Sequence, residues 1–178
     1  HQPESPPRLH WGHQAMRGEN GLIMDAVHLR QDGKGSFAVG AHRTGAAPTD
    51  IGLDLMVQVG MSRRPEQSRV ALETLNRVLT TLEKLPHHGE TGLFFRVYET
   101  KLEASKRILD SNVSSVDNLH LALGLWTVAQ AYPTTATGTR ARNLLQRMDF
   151  SAFYDPTDGL VGGNLRPELK GEAPRWRL

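Results

Sequence analysis

Five acidic residues stand where carboxylates either do chemistry or cap helices: Asp50 and Asp117 open two very apolar stretches, Glu99 ends a central loop, and Asp25 and Asp155 lie in flanking loops. Two carboxyl groups held beside one bond can act as acid and base. Each of these residues also has a plainer use. Ser114-x-x-Asp117 has capping-box spacing, and an Asp in a first helical turn stabilises the helix by about 0.3–1 kcal/mol. Glu99 has Arg96 and Lys101 as nearby charge partners, and Asp155 falls in a Tyr154-Asp155-Pro156-Thr157-Asp158-Gly159 turn.

Other chemistries lack their residues. His10 and His13, like the pair His87-His88, have no third ligand at a metal spacing, and there is no cysteine. No metal site is expected. Gly33-Lys34-Gly35-Ser36 lacks the full phosphate-loop spacing, and no Gly-x-Ser-x-Gly phrase occurs. Nothing points to a cofactor. The net charge of +2 comes from interspersed acids and bases, which argues against a nucleic-acid partner. No apolar run approaches the ~18–20 residues of a membrane span. Absence of cysteine suits a cytosolic or a periplasmic address and decides neither.

The elements that must position the carboxylates repeat. Gly21-Leu22-Ile23, Gly92-Leu93-Phe94 and Gly159-Leu160-Val161 lie 71 and 67 residues apart, and Thr49-Asp50-Ile51-Gly52-Leu53 returns at 67 as Val116-Asp117-Asn118-Leu119. Val78-Leu79-Thr80-Thr81-Leu82-Glu83 returns at 66 as Leu144-Leu145-Gln146-Arg147-Met148-Asp149. Phrases returning in one order imply a structural unit used more than once. Residues 1–7 read as a loose leader ahead of a single domain over 8–178. Residues 8–17 read as a short helix presenting Trp11, residues 23–27 as an extended piece, and residues 31–48 as loop. Helices are expected over residues 49–61, 65–85, 115–132 and 138–148. The first and third are apolar nearly all round and must be covered, so Trp126 is assigned to the core; the second and fourth are amphipathic. Buried and half-buried helices in alternation make a solenoid or two concentric rings, and the long repeat favours rings.

These phrases, with Gly92-Leu93-Phe94-Phe95-Arg96-Val97-Tyr98-Glu99-Thr100, Ser114-Ser115-Val116-Asp117-Asn118 and Met148-Asp149-Phe150-Ser151-Ala152-Phe153-Tyr154-Asp155-Pro156, resemble the glycoamylase-like family of bacterial proteins. That family includes β-1,2-glucan hydrolases and the matching domain of cyclic β-glucan synthases. The resemblance spans most of residues 8–165. It implies an all-α fold of repeated helical hairpins, part of an (α/α)6 toroid with short extended pieces in its loops, and a cleft at the loop-bearing end. It implies an oligo- or polysaccharide as partner and a periplasmic or secreted bacterial address. Family members are longer, so the chain reads as their first half. A carboxylate-bearing Met-Phe-Glu segment of the later half has no counterpart here, and Glu99 stands where Asp is usual.

Glycoside hydrolysis uses two carboxyl groups flanking the bond. On the resemblance, Asp117 and Glu99 are the catalytic candidates, positioning substrate or water, with Asp50, Tyr98, Asn118 and Trp11 as substrate-binding candidates. Trp11 and Tyr98 are the candidate aromatic platforms for a sugar face. The rival reading is a non-catalytic helical-repeat module that binds glycan or protein, its carboxylates serving only as caps. A partial ring also predicts exposed apolar surface, and with it self-association or a missing C-terminal half.

Overall fold

The computed structural model describes residues 16–25, 27–31, 37–42, 45–102 and 107–165. Four helices carry the core: α1 (Pro48–Ser62), α2 (Ser68–Leu82), α3 (Ser115–Ala131) and α4 (Ala136–Leu145). Each inner helix opens from an extended residue, Ala47 for α1 and Ser114 for α3. The Ser114 hydroxyl accepts the Asp117 N–H at 3.2 Å, as the capping-box spacing predicts. At α1, Pro48 takes the first position instead, where a missing N–H leaves no helical bond unmade.

α1 and α3 pack side by side and run in the same direction. Gly52 lies against the peptide of His120 and Leu121, and Gly124 lies against the backbone of Gly52, so a Cβ at either glycine would strike main chain. α2 packs on α1 and α4 on α3, forming an outer layer whose own two helices also touch. Between the layers sit Leu55, Leu75, Leu79, Leu121, Leu125 and Val128, all essentially without exposure. Arg140 on α4 bridges the outer pair. It donates to both carboxylate oxygens of Glu83, each at 2.8 Å, and to Thr80 Oγ1 at 2.7 Å.

The repeated glycines mark one turn built three times. Gly21, Gly92 and Gly159 have φ of +90°, +65° and +72°. A polar side chain just before each glycine accepts the N–H of the leucine just after it: Asn20 for Leu22, Thr91 for Leu93 and Asp158 for Leu160. The next residue then pairs back across the turn, Ile23 with Arg17, Phe94 with His87 and Val161 with Tyr154. Leu22 and Leu93 are wholly buried, whereas Leu160 is partly exposed.

Nine short strands lie among the described residues, more than the extended pieces expected of an all-α chain. β1 (Val27–Gln31) and β2 (Phe37–His42) form a hairpin. β3 (Gly45–Ala46), β4 (Val97–Glu99) and β5 (Ile108–Asp110) form an antiparallel sheet in which Gly45 faces Glu99 and Ala46 faces Tyr98. β6 (Val113–Ser114) pairs with β9 (Asn164–Leu165), and β7 (Tyr154–Asp155) with β8 (Leu160–Val161). Residues 31–48, read as loop, therefore hold β2 and β3: main-chain pairing needs no particular side chains, so a Gly- and Ala-rich stretch can supply it. α2 begins at Ser68, so Pro65 and Glu66 sit in the turn before it rather than in its first turn.

Trp126 is a second correction. It is 54% exposed, with Val116, Leu119 and Leu123 exposed along the same stripe of α3, and Leu53 and Val57 exposed on α1. α3 is apolar on all sides, yet this stripe stays exposed although α1, α4, β6 and the Phe94 turn lie against the helix. The exposed apolar surface expected of a partial ring is present. The (α/α)6 ring itself is not: the described residues supply two helix pairs. No described helix is long and apolar enough to cross a membrane.

Candidate functional site

The parallel packing of α1 and α3 brings their N-termini level, and with them the acidic residues of both first turns. Thr49 at the tip of α1 donates its hydroxyl to Asp117 Oδ1 at 2.6 Å, joining the two units across 68 residues of sequence. Asp50 lies one residue on. Asp25 reaches the same end because its N–H donates to Gly45 O at 2.9 Å, just upstream of α1. The carboxyl of Asp50 is held above the usual carboxylate range, first by burial and then by the negative charges of Asp25 and Asp117, against hydrogen bonds from the backbone. A helix-tip carboxyl with its proton affinity raised, beside another that accepts a hydroxyl hydrogen bond, gathers hydrogen-bonding groups at one end of the helix pair. Among the described residues no group of His, Asp and Glu could hold a metal ion.

Glu99 is placed differently from the expectation. Its side chain is buried, and Oε1 accepts the N–H of Thr100 at 2.8 Å and of Lys101 at 3.2 Å. It holds the chain leaving β4, while Arg96 pairs with Asp110 instead. Nearby, Asn20 Nδ2 donates to the Glu99 carbonyl at 3.0 Å, tying the first glycine turn to β4. Glu99 is thus engaged with its own backbone at the end of β4.

Tyr98 and Asn118 are braces by the same test. Tyr98 has no exposure; its hydroxyl donates to Pro86 O and accepts Phe95 N–H, both at 2.7 Å, and burial pushes its phenol above the ordinary range. A ring enclosed in this way offers no face for a sugar to stack on. Asn118, also without exposure, accepts Phe94 N–H at 2.7 Å and donates to Phe94 O and to Ser114 O, both at 2.9 Å. Its amide copies a backbone partner for the second glycine turn. Trp11 lies outside the described residues.

Thr49 was missing from the candidates read from the sequence, and Asp25 was among the five acidic residues considered but not among those placed at the substrate. Thr49 was readable in the Thr49-Asp50 phrase but passed for a helix start. Asp25 joins the others only through the strand contact at Gly45, which leaves no local mark in the sequence.

With that geometry in view, the comparisons bear on the fold. A glucoamylase-like protein from Bacteroides fragilis superposes with a TM-score of 0.66 at 18% identity, covering 87% of this chain and 37% of its own. A glucoamylase-like protein from Bacteroides caccae gives 0.60 at 18%, covering 70% of this chain and 32% of its own. The endo-β-1,2-glucanase of Chitinophaga pinensis, in complex with sophorotriose and glucose, gives 0.57 at 18%, covering 70% and 31%. The fold is that of a partial glycoamylase-like domain. The match spans about a third of the length of these structures. No family model and no curated protein matches it.

Proposed function

We infer that this chain is a carbohydrate-active, glycoside hydrolase-like domain whose paired helix tips bind a β-glucan. The observation that carries the reading is the junction of Asp50, Thr49 and Asp117, at the level N-termini of two inner helices, within a glycoamylase-like fold. Sugar hydroxyls both donate and accept hydrogen bonds, so neighbouring carboxyl groups can engage one ring from two sides. In this reading Asp117 positions substrate or water, and Asp50 binds the sugar beside it. Glu99, Tyr98 and Asn118 fix the strands and turn behind them. In this reading the expected activity is binding ahead of turnover. A periplasmic or secreted address follows from the polymeric substrate.

The second reading, a helical module that binds without catalysis, is favoured by one observation: the chain spans about a third of the structures it resembles. Calorimetric titration with linear β-1,2-glucan, alongside a reducing-end assay, tests both. Binding that is lost in Asp117→Asn, with helical circular dichroism unchanged, supports a glucan site at the tips. Turnover as well as binding removes the non-catalytic reading. Absence of binding by the folded chain overturns the glucan assignment.

A further inference from the structure

The outer layer holds a cavity that takes no part in the helix-tip junction. It encloses about 260 Å³ between the first glycine turn, the second half of α2 with the residues just past its end, and Leu102 beyond β4. Hydrogen bonds among the described residues join its walls. Thr81 Oγ1 donates to Asn20 O at 2.6 Å, Glu19 Oε2 accepts the Leu102 N–H at 3.0 Å, and the Arg77 guanidinium donates to Glu19 O. The core face of α2 is Leu75, Val78, Leu79 and Leu82. Arg77, and Lys84 two turns on at the end of the helix, are exposed on the opposite side. The cavity therefore borders the outward side of the layer and not the flank of either inner helix. Its cations are also distinctive. Arg69 and Arg140 on the same layer have carboxylate partners, whereas Arg77 binds a carbonyl and Lys84 has no hydrogen-bond or ion-pair partner among the described residues. Arg77 is held in place as well: a Cβ on Gly21 would strike its stem, which lies along the turn while the guanidinium is fixed at Glu19.

The repeat shows that the frame does not require these cations. The offset of 66 residues that carries Val78 to Leu144 puts Asn143 at the place of Arg77 and Phe150 at that of Lys84. There the second glycine turn closes on main chain, the Arg147 carbonyl, instead of on a side chain. We propose that the cavity of the first unit binds a small hydroxy acid, a single sugar ring bearing one carboxylate. Arg77 and Lys84 hold the carboxylate: a guanidinium with N–H groups to spare matches its two oxygens, and an ammonium adds a compact charge. Glu19 keeps one oxygen to accept a ring hydroxyl, and Leu85 and Leu102 border the C–H groups of the ring. Two cations less one carboxylate leave a single positive charge, which one carboxylate balances and a phosphate dianion exceeds. The size agrees, since drug-sized ligands occupy roughly 300–1,000 Å³ and a lone sugar ring needs less. None of these residues belongs to the helix-tip junction, so the assignment does not depend on the glucan reading.

Calorimetric titration of the chain with sodium glucuronate is the test, with glucose and a glucose monophosphate as neutral and dianionic controls. Saturable binding of glucuronate at millimolar concentration, tighter than that of either control, is the expected result. Lys84→Gln should weaken it about tenfold, the loss of one charge-assisted hydrogen bond, with circular dichroism unchanged. Arg77→Gln should weaken it at least as much. That variant also loosens the first glycine turn, so Lys84→Gln, which breaks no contact among the described residues, decides the matter if Arg77→Gln misfolds. Glucose bound as tightly as glucuronate, or the monophosphate bound more tightly, overturns the charge assignment. A folded native chain that takes up no glucuronate overturns the proposal, and so does a Lys84→Gln chain that binds it as the native chain does.

Discussion

The two units share a frame and differ in how a glycine turn is fastened to its inner helix. In the first unit the fastening is ionic. Arg17 forks onto both oxygens of Asp54 at 2.8 Å and donates to Gly21 O at 2.7 Å, while Gln58 adds a bond to Asp54 at 3.0 Å. In the second it is a neutral amide, Asn118, bonded to both main-chain groups of Phe94. The offset pairs Asp54 with Leu121 and Asn118 with Ile51, so each inner helix carries its polar tie where the other carries a core hydrophobe, one helical turn apart. The junction must be satisfied, because the turn brings main-chain polar groups inside. Which chemistry satisfies it is free to vary.

The charged version has the higher stakes. The side chains of Arg17 and Asp54 are only 12% and 1% exposed, so removing one partner strands a charge away from water. Asp54→Ala is expected to cost about 3–5 kcal/mol in urea denaturation, the largest effect of any substitution named here. Arg17→Met combined with Asp54→Leu should recover most of that loss, since an apolar pair leaves no stranded charge. Asn118→Ala should cost about 2–3 kcal/mol, because Phe94 N–H and C=O then lack their partner in a buried setting. If Asn118→Ala proved the costlier of the two, the ranking of ionic above neutral ties would be wrong.

The glycine turns sharpen the same contrast across all three copies. A left-handed residue with a Cβ costs roughly 1–2 kcal/mol wherever it sits. At Gly159 nothing lies near the added atom, so Gly159→Ala should cost about 1 kcal/mol. At Gly92 a Cβ would meet the Arg147 carbonyl, which is main chain and cannot swing aside, and overpacking adds a further ~1–3 kcal/mol. Gly21 meets only the side chain of Arg77 and should fall between them. Equal losses at Gly92 and Gly159 in parallel thermal melts would show that the third turn is as tightly packed as the second.

These pairs also explain what could be read in advance. Repeated Gly-Leu phrases and recurring apolar stretches marked the turns and the helices, because a positive φ and a buried face each restrict residue choice locally. The residues before the glycines, Asn20, Thr91 and Asp158, went unread: three different side chains do one job there, so no phrase repeats. Trp126 was assigned inward because periodicity reports how apolar a helix is and not how many neighbours arrive to cover it. Glu99 and Tyr98 looked like site residues from their phrase. That both side chains are buried rests on long-range packing that the phrase does not carry.

The smallest expected effect separates the two helix tips. Asp50 has its carboxyl raised by burial foremost, with Asp25 and Asp117 adding to it. A raised acid leaves the folded state binding more protons than the unfolded chain, so its contribution is fully present below the unfolded value near 3.8 and is lost as pH climbs through the folded value. Asp50→Asn removes that loss. The variant should be more stable than the native chain at pH 7 and no more stable at pH 3, where both side chains are neutral. Asp117→Asn keeps an oxygen able to accept the Thr49 hydroxyl and serves as the control that leaves this contact in place. Chemical denaturation of both variants at the two pH values is the measurement. A gain for Asp50→Asn that persists at pH 3 would come from packing rather than charge, and the tips would then differ in shape alone.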